Sequence, residues 1–118
     1  MDKQRRKELR DQFEQIKTYM GVYKISNTKN GKIFLGSSPN LKNRWLVISK
    51  QLEMGMHVNS QLQEDWNELG AEAFTYEVLE KKATDKVADV AWEVKQMEKE
   101  WLVKLQPYGD RGYNRFKG

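Results

Sequence analysis

A mixed α/β fold of the α+β type, a small three-stranded sheet, antiparallel or mixed, flanked by helices, is what this sequence of 118 residues predicts. Three observations carry that expectation. Two short strand-like runs bracket an Asn-Gly pair, a third alternating run follows in the second half, and elsewhere apolar residues recur at three- and four-residue steps. The first element, Lys3 to Lys17, reads as a helix because Leu9, Phe13 and Ile16 fall at i, i+4 and i+7 among charged residues. Val22 to Ser26 and Lys32 to Gly36 read as strands around Asn27-Thr28-Lys29-Asn30-Gly31, where Asn-Gly allows the positive φ angles of a tight hairpin turn. Ser38-Pro39 has the form of a helix start, serine as N-cap and proline at the first helical position, with Leu41, Trp45, Ile48 and Leu52 carrying the helix to about Glu53.

The second half continues in the same way. Asn59 to Leu69 places Leu62, Trp66 and Leu69 on one helical face, and Gly70 fits a left-handed C-terminal cap. Phe74 to Glu80 alternates Phe74, Tyr76 and Val78 against Thr75 and Glu77, the mark of a half-buried strand. Val87, Val90, Val94, Met97, Trp101 and Leu105 then trace one long amphipathic helix, stopped at Gln106-Pro107. The element order is therefore α-β-β-α-α-β-α. It is expected as one compact unit, with residues 1–19 an added basic helix and residues 20–118 the main domain.

Composition narrows the function classes. Four tryptophans, four phenylalanines and five tyrosines supply bulky core material for one domain of this length. The absence of cysteine excludes disulfides, thiolate metal sites and cysteine nucleophiles. No apolar run approaches a membrane span and the first residues are charged, so neither a membrane partner nor a signal peptide is expected and the cytoplasm is the default location. A net charge of +4 permits a polyanionic partner without requiring one. Lys3, Arg5, Arg6, Lys7 and Arg10 would contact nucleic-acid phosphates, or form a solvated helix face, since Asp2, Glu8 and Asp11 are interleaved with them.

Gly21-Val22-Tyr23 and Phe34-Leu35-Gly36 put two aromatic rings on paired strands. The two triplets resemble the signature of the GIY-YIG endonucleases, whose name records them. Tyr23 matches the first tyrosine, whereas Phe34 stands where the second triplet normally has a tyrosine. The resemblance runs from about Gly21 to Asn114 and implies further site residues: Arg44, ten positions after Phe34; His57, the only histidine; and Asn114 of the closing Tyr-Asn pair. It also implies a glutamate three residues before an aromatic-aliphatic pair, here Trp101-Leu102, which selects Glu98. The helical wheel agrees, because Glu98 borders the buried face marked by Met97 and Trp101, while Glu100 points further away and is the fallback.

The chemistry these residue types suit is phosphodiester hydrolysis, which needs phosphate charge stabilised, a water activated and the leaving oxygen assisted; the resemblance implies DNA as the substrate. The resemblance implies Glu98 as sole protein ligand of Mg²⁺ (or Mn²⁺), an ion that keeps a hydrated shell. Arg44 would offer donors to a phosphate oxygen. Tyr23 would act as general base, with His57 orienting it or shuttling a proton. Phe34 keeps the ring but lacks the family hydroxyl, so the alternative function is an attenuated nucleic-acid-binding module on the same fold. Tyr23, Arg44, His57 and Glu98 are expected on one shallow concave face, with Glu98 on the same side of the sheet as Tyr23.

Overall fold

In the computed structural model, which describes residues 17–116, the chain forms a three-stranded sheet with three helices. The expected helix over residues 3–17 and its basic residues lie, apart from Lys17, outside the described residues. The elements are β1 (Tyr19–Asn27), β2 (Ile33–Ser38), α1 (Arg44–Glu53), α2 (Ser60–Leu69), β3 (Phe74–Ala83) and α3 (Val90–Leu105). Sheet order is β2-β1-β3, and β1 is antiparallel to both neighbours.

Strand alternation on β1 separates two cores. Tyr23 and Ile25 face a layer made by α1 and α2, where Ile48, Leu52, Leu62, Trp66 and Phe74 close around them. Met20 and Val22 face the other way, onto Val94 and Met97 of α3, with Leu35 completing that cluster and Trp101 packed at its border. The molecule is thus helix–sheet–helix. Among the described residues no helix is long and apolar enough to cross a membrane.

Local structure departs from expectation at several points, each for a readable reason. The β1–β2 connection is a wider loop than a two-residue turn: only Gly31 of the Asn-Gly pair takes a positive φ, 79°. Buried Asn27 holds this loop, its carbonyl accepting from the Gly31 N–H and its side-chain oxygen from the Lys29 N–H. Ser38 does not cap a helix. It is the buried last residue of β2, Pro39 and Leu41 lie in the following loop, and α1 starts at Arg44 after Asn43 in a left-handed conformation. Gly70 follows α2 with φ 83° but ψ 167°, so its positive φ redirects the chain straight into extended backbone rather than forming a left-handed cap. On β3 a bulge intervenes, since Tyr23 pairs with Val78 but Val22 with Glu80. The extra residue turns both Leu79 and Glu80 toward α3, Leu79 into its core and Glu80 onto the Trp101 Nε1–H at 2.8 Å. Val78, expected to be buried, is 38% exposed. The last helix begins at Val90, capped by the Asp89 side chain, and ends at Gln106-Pro107 as its sequence dictates.

Candidate active site

The site is organised by the outward pattern of one strand. Phe34, Gly36 and Ser38 stand at i, i+2 and i+4 of β2 and so present to the same face. Each seats a different side chain. Phe34 meets the His57 ring edge-on, with centroids 5.3 Å apart and planes at 86°. Gly36, directly opposite Tyr23 in the β1–β2 register, lies beneath the tyrosine ring. Ser38 Oγ accepts from Arg44 Nη2 at 2.8 Å. His57, Tyr23 and Arg44 thereby form a row along β2.

Gly36 is fixed by this packing and not by its backbone angles. A Cβ there would overlap the Tyr23 hydroxyl and ring. Gly36→Ala is therefore expected to displace Tyr23, costing about 1–3 kcal/mol through overpacking and lowering activity more than a comparable loss of stability elsewhere. Thermal melts read beside activity check this; unchanged activity would show that the seating of Tyr23 is unimportant.

Burial pushes the Tyr23 hydroxyl up to about 12, with Arg44 opposing the rise and Tyr76 and Glu98 adding to it. Tyr23 consequently holds its proton at neutral pH. In that state it is a hydrogen-bond donor. His57 is half-buried, and burial lowers its proton affinity below the usual 6.5. Its Nδ1 accepts from the Asn59 N–H at 3.0 Å, which puts the neutral ring's proton on Nε2. Asn59 in turn caps α2 by accepting from the Leu62 N–H, and its amide donates to the Tyr113 carbonyl.

The lowered His57 value has a consequence for stability. Below pH 6.5 the unfolded chain takes up a proton that folded His57 resists, so its contribution is intact above 6.5 and is lost as pH falls through the folded value. A plot of melting temperature against pH should fall more steeply on the acid side for the parent than for His57→Gln. Superimposable curves would remove this account of His57.

Glu98 arrives from the other layer. It belongs to α3, which packs on the Met20, Val22 and Leu35 face, so the expected placement on Tyr23's side of the sheet is corrected. It is nonetheless half-buried and near enough for its charge to raise the Tyr23 pKa. Tyr23 reaches out over edge strand β2, and α3 packs under β1 and β2, so Tyr23 and the helix that carries Glu98 flank the same edge of the sheet. Glu100 is exposed. Glu93, expected to be more exposed than Glu98, is also half-buried, through its 2.8 Å ion pair with Lys82.

Asn114 is tied to the backbone of β2. Its side-chain oxygen accepts from the Leu35 N–H and its amide donates to the Leu35 carbonyl, both at 2.8 Å. The side chain extends the sheet as a short mimic strand along the outer edge of β2. Tyr113 adds a backbone bond to the Ile33 carbonyl, while its hydroxyl accepts from Asn27 and donates to Asp65. Two residues of this neighbourhood, Ser38 and Tyr76, are not among the site residues the sequence predicts. Ser38 carries an i+4 relation to Phe34 that marks it as same-face. Tyr76 was assigned to the buried face of β3, and its hydroxyl turns out to lie near Arg44.

Among the described residues no group of three or more His, Asp, Glu or Cys could hold a metal. A single half-buried carboxylate is still a donor set that suits a hydrated Mg²⁺, which takes one or two carboxylates and keeps waters.

No family model matches the chain. Over 60 residues, 51% of the chain, it is 38% identical to Intron-associated endonuclease 1 of Enterobacteria phage T4, and it spans about a quarter (24%) of that protein's length. Its fold is similar to a structure of the catalytic domain of homing endonuclease I-TevI, with a TM-score of 0.67 and 30% identity, covering 83% of this chain and 99% of that one. A second structure, a mutant of the I-TevI catalytic domain, gives a TM-score of 0.68 at 29% identity, covering 85% and 96%. With the two aromatic triplets paired on adjacent strands and this likeness running the length of a catalytic domain, the chain belongs to the GIY-YIG endonuclease superfamily.

Proposed function

We propose that this domain is a metal-dependent endonuclease that hydrolyses phosphodiester bonds in DNA at the β2 edge of its sheet. The observation that carries the reading is the row on β2, where His57, Tyr23 and Arg44 are each seated by a same-face residue, with Glu98 approaching Tyr23 from α3. Glu98 is the residue to hold Mg²⁺ or Mn²⁺. Such an ion, when bound, stabilises negative charge on the phosphate and lowers the pKa of a coordinated water. Arg44, anchored at Nη2 by Ser38, presents its remaining donors to a phosphate oxygen. Tyr23, holding its proton, donates a hydrogen bond to the phosphate or to the attacking water. His57 offers Nε2–H beside Phe34. Asn114 keeps β2 in place. The basic residues Lys3, Arg5, Arg6, Lys7 and Arg10 would add phosphate contacts, and the compartment proposed is the cytoplasm.

Phe34 is the one observation in favour of the second reading, a binding module with attenuated catalysis, because the hydroxyl of the family's second tyrosine is absent. Phe34→Tyr separates the two. For a working nuclease the restored hydroxyl adds a donor at a position the strand already presents, and cleavage of labelled DNA should rise by about tenfold to a hundredfold. In a remodelled binding pocket the hydroxyl finds no partner and its burial costs about 1–3 kcal/mol. Zero cleavage by both proteins, with a lower melting temperature for the variant, would overturn the nuclease reading.

A further inference from the structure

Two side-chain polar atoms of the described protein are buried without a hydrogen-bond partner, and both belong to this site: Arg44 Nε and the Tyr76 hydroxyl. Tyr76 is held from two sides. Its ring stacks on Trp45 with centroids 5.3 Å apart at 19°, and lies 5.4 Å from Tyr23 at 35°. A phenylalanine would keep all of that ring packing and avoid an unsatisfied hydroxyl, whose burial is unfavourable. Packing therefore does not explain the oxygen.

Its position supplies an explanation. Ile25 of β1 pairs with Phe34 on one side and Tyr76 on the other, so the two aromatics flank the same residue on the same face. Where β2 lacks a hydroxyl, β3 carries one. Tyr76 stacks on Trp45, the residue that follows Arg44 in α1, and the Arg44 charge lowers the values of both Tyr23 and Tyr76. The two orphan atoms are also chemically complementary, since Nε–H only donates and a tyrosine hydroxyl accepts as well.

We propose that Tyr76 is a positioning residue for Arg44: when a phosphodiester draws on the guanidinium, the Tyr76 hydroxyl accepts from Nε while Ser38 Oγ accepts from Nη2. The arginine is then fixed at two points and turns its remaining N–H groups to the phosphate. This rests on Arg44 as the phosphate-binding group in the proposed function, and goes beyond it by naming what holds Arg44.

The test is a double-mutant cycle of Tyr76→Phe and Arg44→Ala, read in two ways. One readout is single-turnover cleavage of labelled duplex DNA with Mg²⁺; the other is affinity for the same duplex with chelator, which requires no cleavage. Tyr76→Phe should slow cleavage by about tenfold, less than loss of a direct donor, with an unchanged or raised melting temperature. In the Arg44→Ala background the same substitution should have no further effect, since a residue acting through another shows such coupling. If the parent cleaves no DNA, the nuclease reading fails by itself and the binding cycle alone decides: coupling supports Tyr76, additivity overturns it. A slowed rate that tracks a lowered melting temperature, or no coupling in either readout, also overturns it.

Discussion

Glu98→Ala is expected to reduce metal-dependent cleavage by at least about a thousandfold, because a lone carboxylate ligand has no substitute when the ion carries the charge stabilisation. Among the described residues Glu98 is the carboxylate whose charge raises the Tyr23 value, and Glu100 is exposed on the same helix. DNA affinity should stay close to the parent's or tighten, because phosphate contacts are spread over several cations and a negative charge beside the phosphate is removed. Tyr23 should also titrate at lower pH, since Glu98 raises its value. Cleavage kinetics, fluorescence anisotropy and an ultraviolet titration of tyrosinate measure the three effects. If the variant cuts as fast as the parent, the assignment fails and Glu100→Ala is tested next.

Arg44→Ala should lower cleavage by about 10²- to 10³-fold, the usual consequence of removing one preorganised donor from developing phosphate charge. Affinity should fall much less. Arg44→Lys should recover little: an ammonium keeps the charge but cannot hold Ser38 with one nitrogen and present a planar fork with the others. The tyrosines report independently, because Arg44 lowers the values of both Tyr23 and Tyr76, so both should titrate higher in Arg44→Ala. Full activity in the lysine variant would show that Arg44 acts as a point charge only.

Most of the fold was legible because the period of the apolar residues differs between helix and strand, and each element here is long enough to show it. The α2 stripe is buried at Leu62 and Trp66 but not at its end, where Leu69 is exposed, and Val94 and Met97 on α3 are buried where their spacing places them. What failed was governed by long-range partners. Ser38-Pro39 resembles a helix start in isolation, yet the Ser38 hydroxyl is claimed by Asn40 and Arg44, and the chain needs a loop before α1. Val78 alternates correctly with Phe74 and Tyr76, but the bulge against Val22 and Tyr23 brings Leu79 into the core instead. No local pattern encodes a bulge.

The site divides along the same line. Motif and order in the sequence select Tyr23, Arg44, His57 and Glu98 as candidates, but do not show how the fold places them. Opposite parity of Val22 and Tyr23 already sends the long helix and the tyrosine to different faces, and only the reach of the Tyr23 ring over Gly36 lets Glu98 act on it. The pairing of Asn114 was not legible, because a terminal-loop asparagine carries no sign that its amide will bond the Leu35 backbone 79 residues away. Tyr76 was invisible as a polar group because its ring accounts for its strand position.

The most direct measurement is the cleavage of labelled duplex and single-stranded DNA by the unmodified protein, with Mg²⁺, with Mn²⁺ and with chelator in excess. The account predicts cut products in at least one DNA form with either ion and none with chelator, the rate rising with ion concentration to saturation. Cleavage that persists undiminished in chelator, or intact DNA under every metal condition while the protein remains folded, would contradict it.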